Sequence, residues 1–371
     1  MHLGNDIRVA GVRLYFLPVR TRVPLKFGPE TLTSVTCARA CVTVRNRQGQ
    51  RAEGWGETPL SVQWVWPSAL SYEDRHQALR AFCMRLAEEW VDFGGWGHPL
   101  EVGCDFQEQV APLALTRFNQ ERPRLGEPMP WLAALVCGSV FDQALHDAYG
   151  QLLGQPVYST YTRDYVSGDL AAFLKPAEGA PVRFDGRYPA DYMLESRRER
   201  LRAWHLVGGM DPLAPEDLRG DEPADGYPGL LADWIRRDGL KCLKVKLRGN
   251  DAEWDYERLV RVGRLARAHG VEALSADFNC TVLDPAYVIE VLDRLKSEEP
   301  EIERLLWYVE QPFPYDLERY RIQVHGLAAR KPLYLDESAH DWRLIRLGRE
   351  LGWNGVALRT CKTQTGAILS A

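Results

Sequence analysis

The chain has 371 residues, 45% hydrophobic and 26% charged, with a formal net charge of −5. That size allows two domains with substantial cores, and the mild negative charge provides no basic footprint for nucleic acid or an anionic membrane surface. No stretch of about 18 apolar residues runs unbroken, so no membrane-spanning helix is expected and the default partner is a small molecule.

Cys37, Cys41, Cys83, Cys104, Cys137, Cys242, Cys280 and Cys361 show no Cys-x-x-Cys or Cys/His metal spacing. Several lie inside apolar runs, which reads as reduced thiols used as small hydrophobes. The first six residues lack the basic start and apolar core of a targeting segment, so a cytoplasmic protein is expected.

Residues 7–19, 38–45 and 52–57 alternate as strands do, and Asn46-Arg47-Gln48-Gly49-Gln50 is a hairpin turn, giving an antiparallel meander. Between the first two strands lies Pro24-Leu25-Lys26-Phe27-Gly28-Pro29-Glu30, rich in turn formers and expected as a loop able to close over a ligand. Helical periodicity follows in 71–90, with Ser71 as N-cap, and in 131–153. The segment 141–158 is an amphipathic helix stopped by glycines and a proline, leading into a strand near 161–166. These elements predict an α+β domain over 1–155 and a second domain over 156–371.

Residues 171–226 are rich in Pro, Gly, Arg and Asp with little periodicity beyond a possible helix at 190–204, and read as an insertion of the kind that forms lids or partner surfaces. His205 within it reads as an ordinary surface histidine. From 230 onward helices and strands alternate: helix 230–238, strand 241–247, helix 251–268, strand 271–276, helix 285–297, strand 305–309, helix 315–328, strand 332–335, helix 341–350 and strand 355–359. Such alternation argues for parallel strands with helices outside, a TIM-type (β/α) barrel. Counting 161–166 there are six strands where closure takes eight, so the barrel is expected to be incomplete at the C-terminus. Its open edges favour a homo-oligomer.

Lys244 and Lys246 stand two apart in a strand and therefore share a face. Alone they fit an edge strand with lysines in solvent. Further charged residues close each later apolar run, however: Asp277, Glu310, Asp336 and Lys362, at intervals of 31, 33, 26 and 26 residues counted from Lys246. One βα unit takes about that length, so each would sit at a strand's C-terminal end. Separate helix N-caps or salt bridges are the plainer account of the acids. Gathered at one mouth, Asp277, Glu310 and Asp336 would repel unless a hard divalent cation joined them, and Mg²⁺ suits an all-oxygen set that leaves positions open for substrate. Asp336 and Glu337 cannot both point inward, which leaves Glu337 a supporting role. Lysines flank the acids on both sides, so two bases could face one carbon. That suits removing a proton next to a carboxylate while the metal neutralises the enediolate.

Lys244-Val245-Lys246, Asp277-Phe278-Asn279, Val309-Glu310-Gln311-Pro312 and Asp336-Glu337-Ser338 together resemble the strand motifs of the enolase superfamily, in particular the mandelate racemase and muconate lactonizing enzyme group. The helix at 141–158 resembles that group's junction between capping domain and barrel. The resemblance implies Lys246 as base, Lys244 as its electrostatic partner and substrate-carboxylate contact, Lys362 as the second base of the muconate lactonizing subgroup, and Mg²⁺ on Asp277, Glu310 and Asp336, with Asn279 in support. Where the family has Lys-x-Gly-Gly this chain has Lys362-Thr363-Gln364-Thr365-Gly366. The implied reaction is racemisation, epimerisation or cycloisomerisation of a small-molecule carboxylate. Acid-sugar-type dehydration is the alternative, and a metal-binding fragment without catalysis the alternative of another class.

Overall fold

The computed structural model describes residues 4–27, 30–122, 126–194 and 196–371. Among these, the residues within 1–19, 35–197 and 358–371 form one compact unit, and those within 20–34 and 198–357 a second. This division differs from the boundary expected at 155/156, since 156–197 and the last fourteen residues pack with the first unit and 20–34 with the second.

An antiparallel sheet of β1 (Ile7–Phe27), β2 (Glu30–Asn46) and β3 (Arg51–Pro59), in that spatial order, belongs to the first unit except for residues 20–34, which are counted with the second. β2 and β3 pair from Cys37 opposite Pro59 to Arg45 opposite Arg51. The expected loop at 24–30 is a correction: β1 continues to Phe27 and β2 begins at Glu30, with Gly28 and Pro29 outside the described residues. Val19, Val23 and Phe27 have the β-branched and aromatic character that favours strand over loop.

After a short α1 (Val62–Val65), Ser71 caps α2 (Tyr72–Asp92) by accepting from Asp74 N, as the sequence predicts. α3 (Pro99–Asp105) and α4 (Ala111–Gln120) flank a π-helical turn. The long α5 (Trp131–Leu153) ends at Gly154 in the left-handed conformation. It is buried on most sides, because β3 approaches it with no side chain between. A Cβ on Gly54 would stand 2.0 Å from Ala148 N, and one on Gly56 2.1 Å from Val140 O, so only glycine permits this contact.

α5 also carries a buried polar cluster. Asp142 accepts from Thr365 N and Thr365 Oγ1, both at 2.8 Å. His146 Nε2 lies 3.0 Å from the same hydroxyl and its Nδ1 2.7 Å from Tyr161 Oη. Burial lowers the His146 pKa against a raising contribution from Asp142, so the ring is neutral. One tautomer satisfies every contact: Nε2–H donates to Thr365, which donates to Asp142, while Nδ1 accepts from Tyr161. Asp142→Ala would leave two buried donors, the Thr365 N–H and its O–H, without an acceptor. We expect a loss of about 3 kcal/mol in chemical denaturation, with Asp142→Asn recovering part of it through its remaining carbonyl oxygen. Equal stabilities for the alanine variant and the parent would show the cluster to be energetically idle.

The second unit is a six-stranded parallel sheet in sequential order: β4 (Trp204–Val207), β5 (Cys242–Lys246), β6 (Ala273–Asp277), β7 (Leu306–Glu310), β8 (Leu333–Leu335) and β9 (Gly355–Val356). Between them run α6 (Leu231–Asp238), α7 (Ala252–Ala268), α8 (Pro285–Glu298), the short α9 (Pro300–Leu305) and α10 (His325–Ala328), and α11 (Arg343–Leu351); α12 (Gln364–Ser370) belongs to the first unit. The number of strands is the expected six, but the first of them is not at 161–166. Those residues follow a 3-10 turn (Val157–Thr160) and make a further turn in which Tyr165 N and Val166 N donate to Thr162 O. The first strand lies inside the expected insertion, so 171–226 is not wholly an excursion. Among the described residues no helix spans 190–204; a 3-10 turn at Pro189–Tyr192 is followed by β4. The apolar Trp204-His205-Leu206-Val207 is short and follows an arginine-rich stretch, which masks its strand character. Helix 315–328 is likewise reduced to α10, and strand 355–359 to two residues.

The sheet has two unlike faces. Leu243, Val245, Leu274, Ala276, Val309, Leu333 and Leu335 pack with the helices in one core. The alternate positions put Lys244, Lys246, Ser275, Asp277, Tyr308, Glu310 and Tyr334 on the other face, with Asp336 one step past β8 in the same phase.

Candidate functional site

The parallel register sets the polar face in rows. Lys246 pairs with Asp277 and Asp277 with Glu310, one row above Lys244, Ser275 and Tyr308. The upper row closes as a charge cluster. Lys246 Nζ lies 2.6 Å from Asp277 Oδ2, and Lys244 Nζ bridges Asp277 Oδ2 at 2.8 Å and Glu310 Oε1 at 2.5 Å. Lys246 is 6% exposed, and Asp277, Glu310 and Asp336 are each 1% exposed. Burial alone would raise the Asp277 pKa; the charges of Lys244 and Lys246 outweigh it and hold the carboxyl down to about 2. The ring of Phe27 stands 5.8 Å from Lys246 Nζ. Tyr308 of the lower row stacks at 4.3 Å on Tyr334, the residue paired with Glu310 in β8, and burial raises the Tyr308 pKa.

Asp336 and Glu337 are buried just beyond β8, where Glu337–Ala339 forms a 3-10 turn. Asn279 donates its backbone N–H to Asp277 Oδ1 at 2.9 Å, which fixes the carboxylate's orientation. Cys280 was not singled out by the sequence, yet burial pushes its thiol pKa up, reinforced by the charges of Glu337, Asp277 and Asp336. Its adjacency to the Asp-x-Asn motif was the available signal. Gln311 and Ser338 lie at the same strand ends, with Gln311 Nε2 donating to Ser338 Oγ at 2.7 Å.

The structure therefore brings Lys244, Lys246, Asp277 and Glu310 together by direct ion pairs, with Asp336, Glu337 and Asn279 at neighbouring strand ends. Lys362 lies in the first unit, buried in a 3-10 turn (Thr360–Lys362) whose Thr360 O accepts from Gln143 of α5. Among the described residues no three His, Cys, Asp or Glu side chains are gathered as a metal ligand set. Where such a set would form, Lys244 Nζ stands between Asp277 and Glu310 and supplies the counter-charge. Nor is any described helix long and apolar enough to cross a membrane.

No protein-family model and no curated protein matches the chain. Solved structures do. A dipeptide epimerase from Cytophaga hutchinsonii, in complex with Mg and D-Ala-L-Val, is 18% identical, with a TM-score of 0.57 over 96% of this chain and 73% of that one. An N-succinyl Arg/Lys racemase from Bacillus cereus is 16% identical, with a TM-score of 0.56 over 96% and 73%. A muconate lactonizing enzyme from Pseudomonas fluorescens, in complex with muconolactone, is 17% identical, with a TM-score of 0.57 over 98% and 76%. The chain has the fold of these proteins: an N-terminal antiparallel sheet with helices, then a parallel α/β sheet.

Proposed function

We propose that the chain is an enolase-superfamily enzyme of the mandelate racemase and muconate lactonizing enzyme group, which removes the α-proton of a small carboxylate substrate and completes a racemisation, epimerisation or cycloisomerisation. The observation that carries this reading is the buried row in which Lys246 meets Asp277 and Lys244 bridges Asp277 and Glu310. Two acids and one amine buried at strand ends, with a second amine half-buried beside them, are costly to stability, and such perturbed clusters concentrate at functional sites.

Mg²⁺ fits the donors in kind: Asp277, Glu310 and Asp336 are all carboxylates, all buried, and end three successive strands. When bound there it would supply positive charge against the oxygens of the enediolate. In this reading Lys246 takes the proton, Lys244 exchanges its carboxylate contacts for the substrate carboxylate, and Lys362 serves the opposite face of the carbon. Asn279 keeps Asp277 oriented, and Glu337 supports Asp336.

Two measurements test this. Mg²⁺ at a hundredfold excess over its Kd should stabilise the folded chain by about 2.7 kcal/mol through preferential binding to it; a melting temperature indifferent to millimolar Mg²⁺ would remove the shared metal site. Incubation in D₂O with Mg²⁺ and a panel of N-acylamino acids and dipeptides should place deuterium at one α-carbon, read by mass spectrometry. A product lighter by one water would mark dehydration instead. A Mg²⁺ shift with no exchange from any compound in either stereochemical form would count against proton abstraction while leaving the metal site.

A further inference from the structure

The acids proposed as metal ligands sit on different strands, so something must hold those strand ends in register. Gln311 follows Glu310 directly and is fully buried. Its Oε1 accepts from Asp336 N at 2.8 Å and Ser338 N at 3.1 Å, while its Nε2 donates to Ser338 Oγ at 2.7 Å and Phe313 O at 2.9 Å. The amide has two donor hydrogens and two acceptor lone pairs, and all four are used. Three of the four contacts reach the turn that carries Asp336.

The backbone around this amide is constrained in the same direction. Gln311 has a φ of 35°, and Asn279 and Cys280, at the end of the neighbouring strand, have φ of 49° and 63°. Such values are unfavourable for a non-glycine residue and persist only where surrounding contacts over-determine them. Here Cys280 N donates to Gln311 O at 2.8 Å and Gln311 N to Tyr334 O at 3.0 Å. Residue 311 thus links the ends of three strands: its main chain ties β6 to β7 and β7 to β8, and its side chain fixes the turn after β8.

We infer that Gln311, with Ser338 as its partner, is a positioning residue that sets the spacing of Glu310 and Asp336 for a divalent cation, without touching the cation itself. This rests on the reading that those acids hold Mg²⁺. A loose pair of carboxylates on separate strands would bind a small octahedral ion poorly, because Mg²⁺ tolerates little departure from its preferred geometry.

The test is titration of the full chain with Mg²⁺ alone in a calorimeter. Gln311→Met keeps an unbranched side chain of similar length but removes all four contacts, and should weaken Mg²⁺ binding at least tenfold. Ser338→Ala removes one contact and should weaken it a few-fold; it decides the matter should Gln311→Met fail to fold. Thr365→Val, which disturbs the buried cluster of the first unit, controls for general loss of stability and should leave the Mg²⁺ Kd unchanged. Folded Gln311 and Ser338 variants that bind Mg²⁺ within twofold of the parent would overturn the inference while leaving the metal site intact. A parent that binds no Mg²⁺ would overturn the metal reading itself, and this inference with it.

Discussion

Replacing Lys246 by alanine is expected to lower α-deuterium exchange by about 100- to 10,000-fold, the range a positioned general base contributes. The loss should be stereochemically one-sided. If Lys246 and Lys362 serve opposite faces of one carbon, Lys246→Ala will stop exchange from one stereoisomer and spare it in the other, and Lys362→Ala will do the reverse. The two variants also separate chemistry from charge balance. Lys246 is one of two cations on Asp277, so its removal still leaves Lys244 to neutralise that carboxylate and should preserve Mg²⁺ binding. Equal loss from both stereoisomers in both variants would retain proton transfer but refute the division of faces.

Much of the site was legible in the sequence because strand geometry converts spacing into direction. Lys244 and Lys246 had to share a face, and the intervals to Asp277, Glu310 and Asp336 had to place them near successive strand ends; the register of β5, β6 and β7 now sets Lys246, Asp277 and Glu310 side by side. Long periodic elements such as α5 were read to the residue. What the sequence hid were the short elements. β4 has four residues and follows a charged run, while 161–166, expected as a strand, is held as a turn by Thr162 and Tyr161. Local pattern cannot distinguish these, because the contact that decides between them is the pairing of Leu206 with Lys244 across the sheet. Cys280 and the full role of Gln311 were hidden for a related reason: their importance lies in left-handed backbone and in bonds between strand ends, neither of which leaves a periodic trace.

Asp277→Asn should have the largest effect on stability of any change at the site. The parent carboxylate is shared by two ammonium groups, one of them 6% exposed. Neutralising it leaves Lys246 buried without its counter-ion, and breaking a buried pair from one side costs about 3–5 kcal/mol. Asparagine preserves the shape and an oxygen for Asn279 N, so the loss would report charge and not packing. The pH dependence follows from the sign of the shift. A carboxyl held near 2 in the folded chain and near ~3.9 when unfolded stabilises the fold above the unfolded value, and that contribution disappears as pH falls from about 4 toward 2. The parent's advantage over Asp277→Asn should therefore be constant near neutrality and shrink over that acid window. The same variant should lose most of the Mg²⁺-dependent rise in melting temperature. Denaturation of both proteins between pH 2 and 7, with and without Mg²⁺, measures all three effects. If the variant stays within about 1 kcal/mol of the parent at pH 7 and keeps its Mg²⁺ shift, Asp277 is neither the anchor of the two lysines nor a metal ligand.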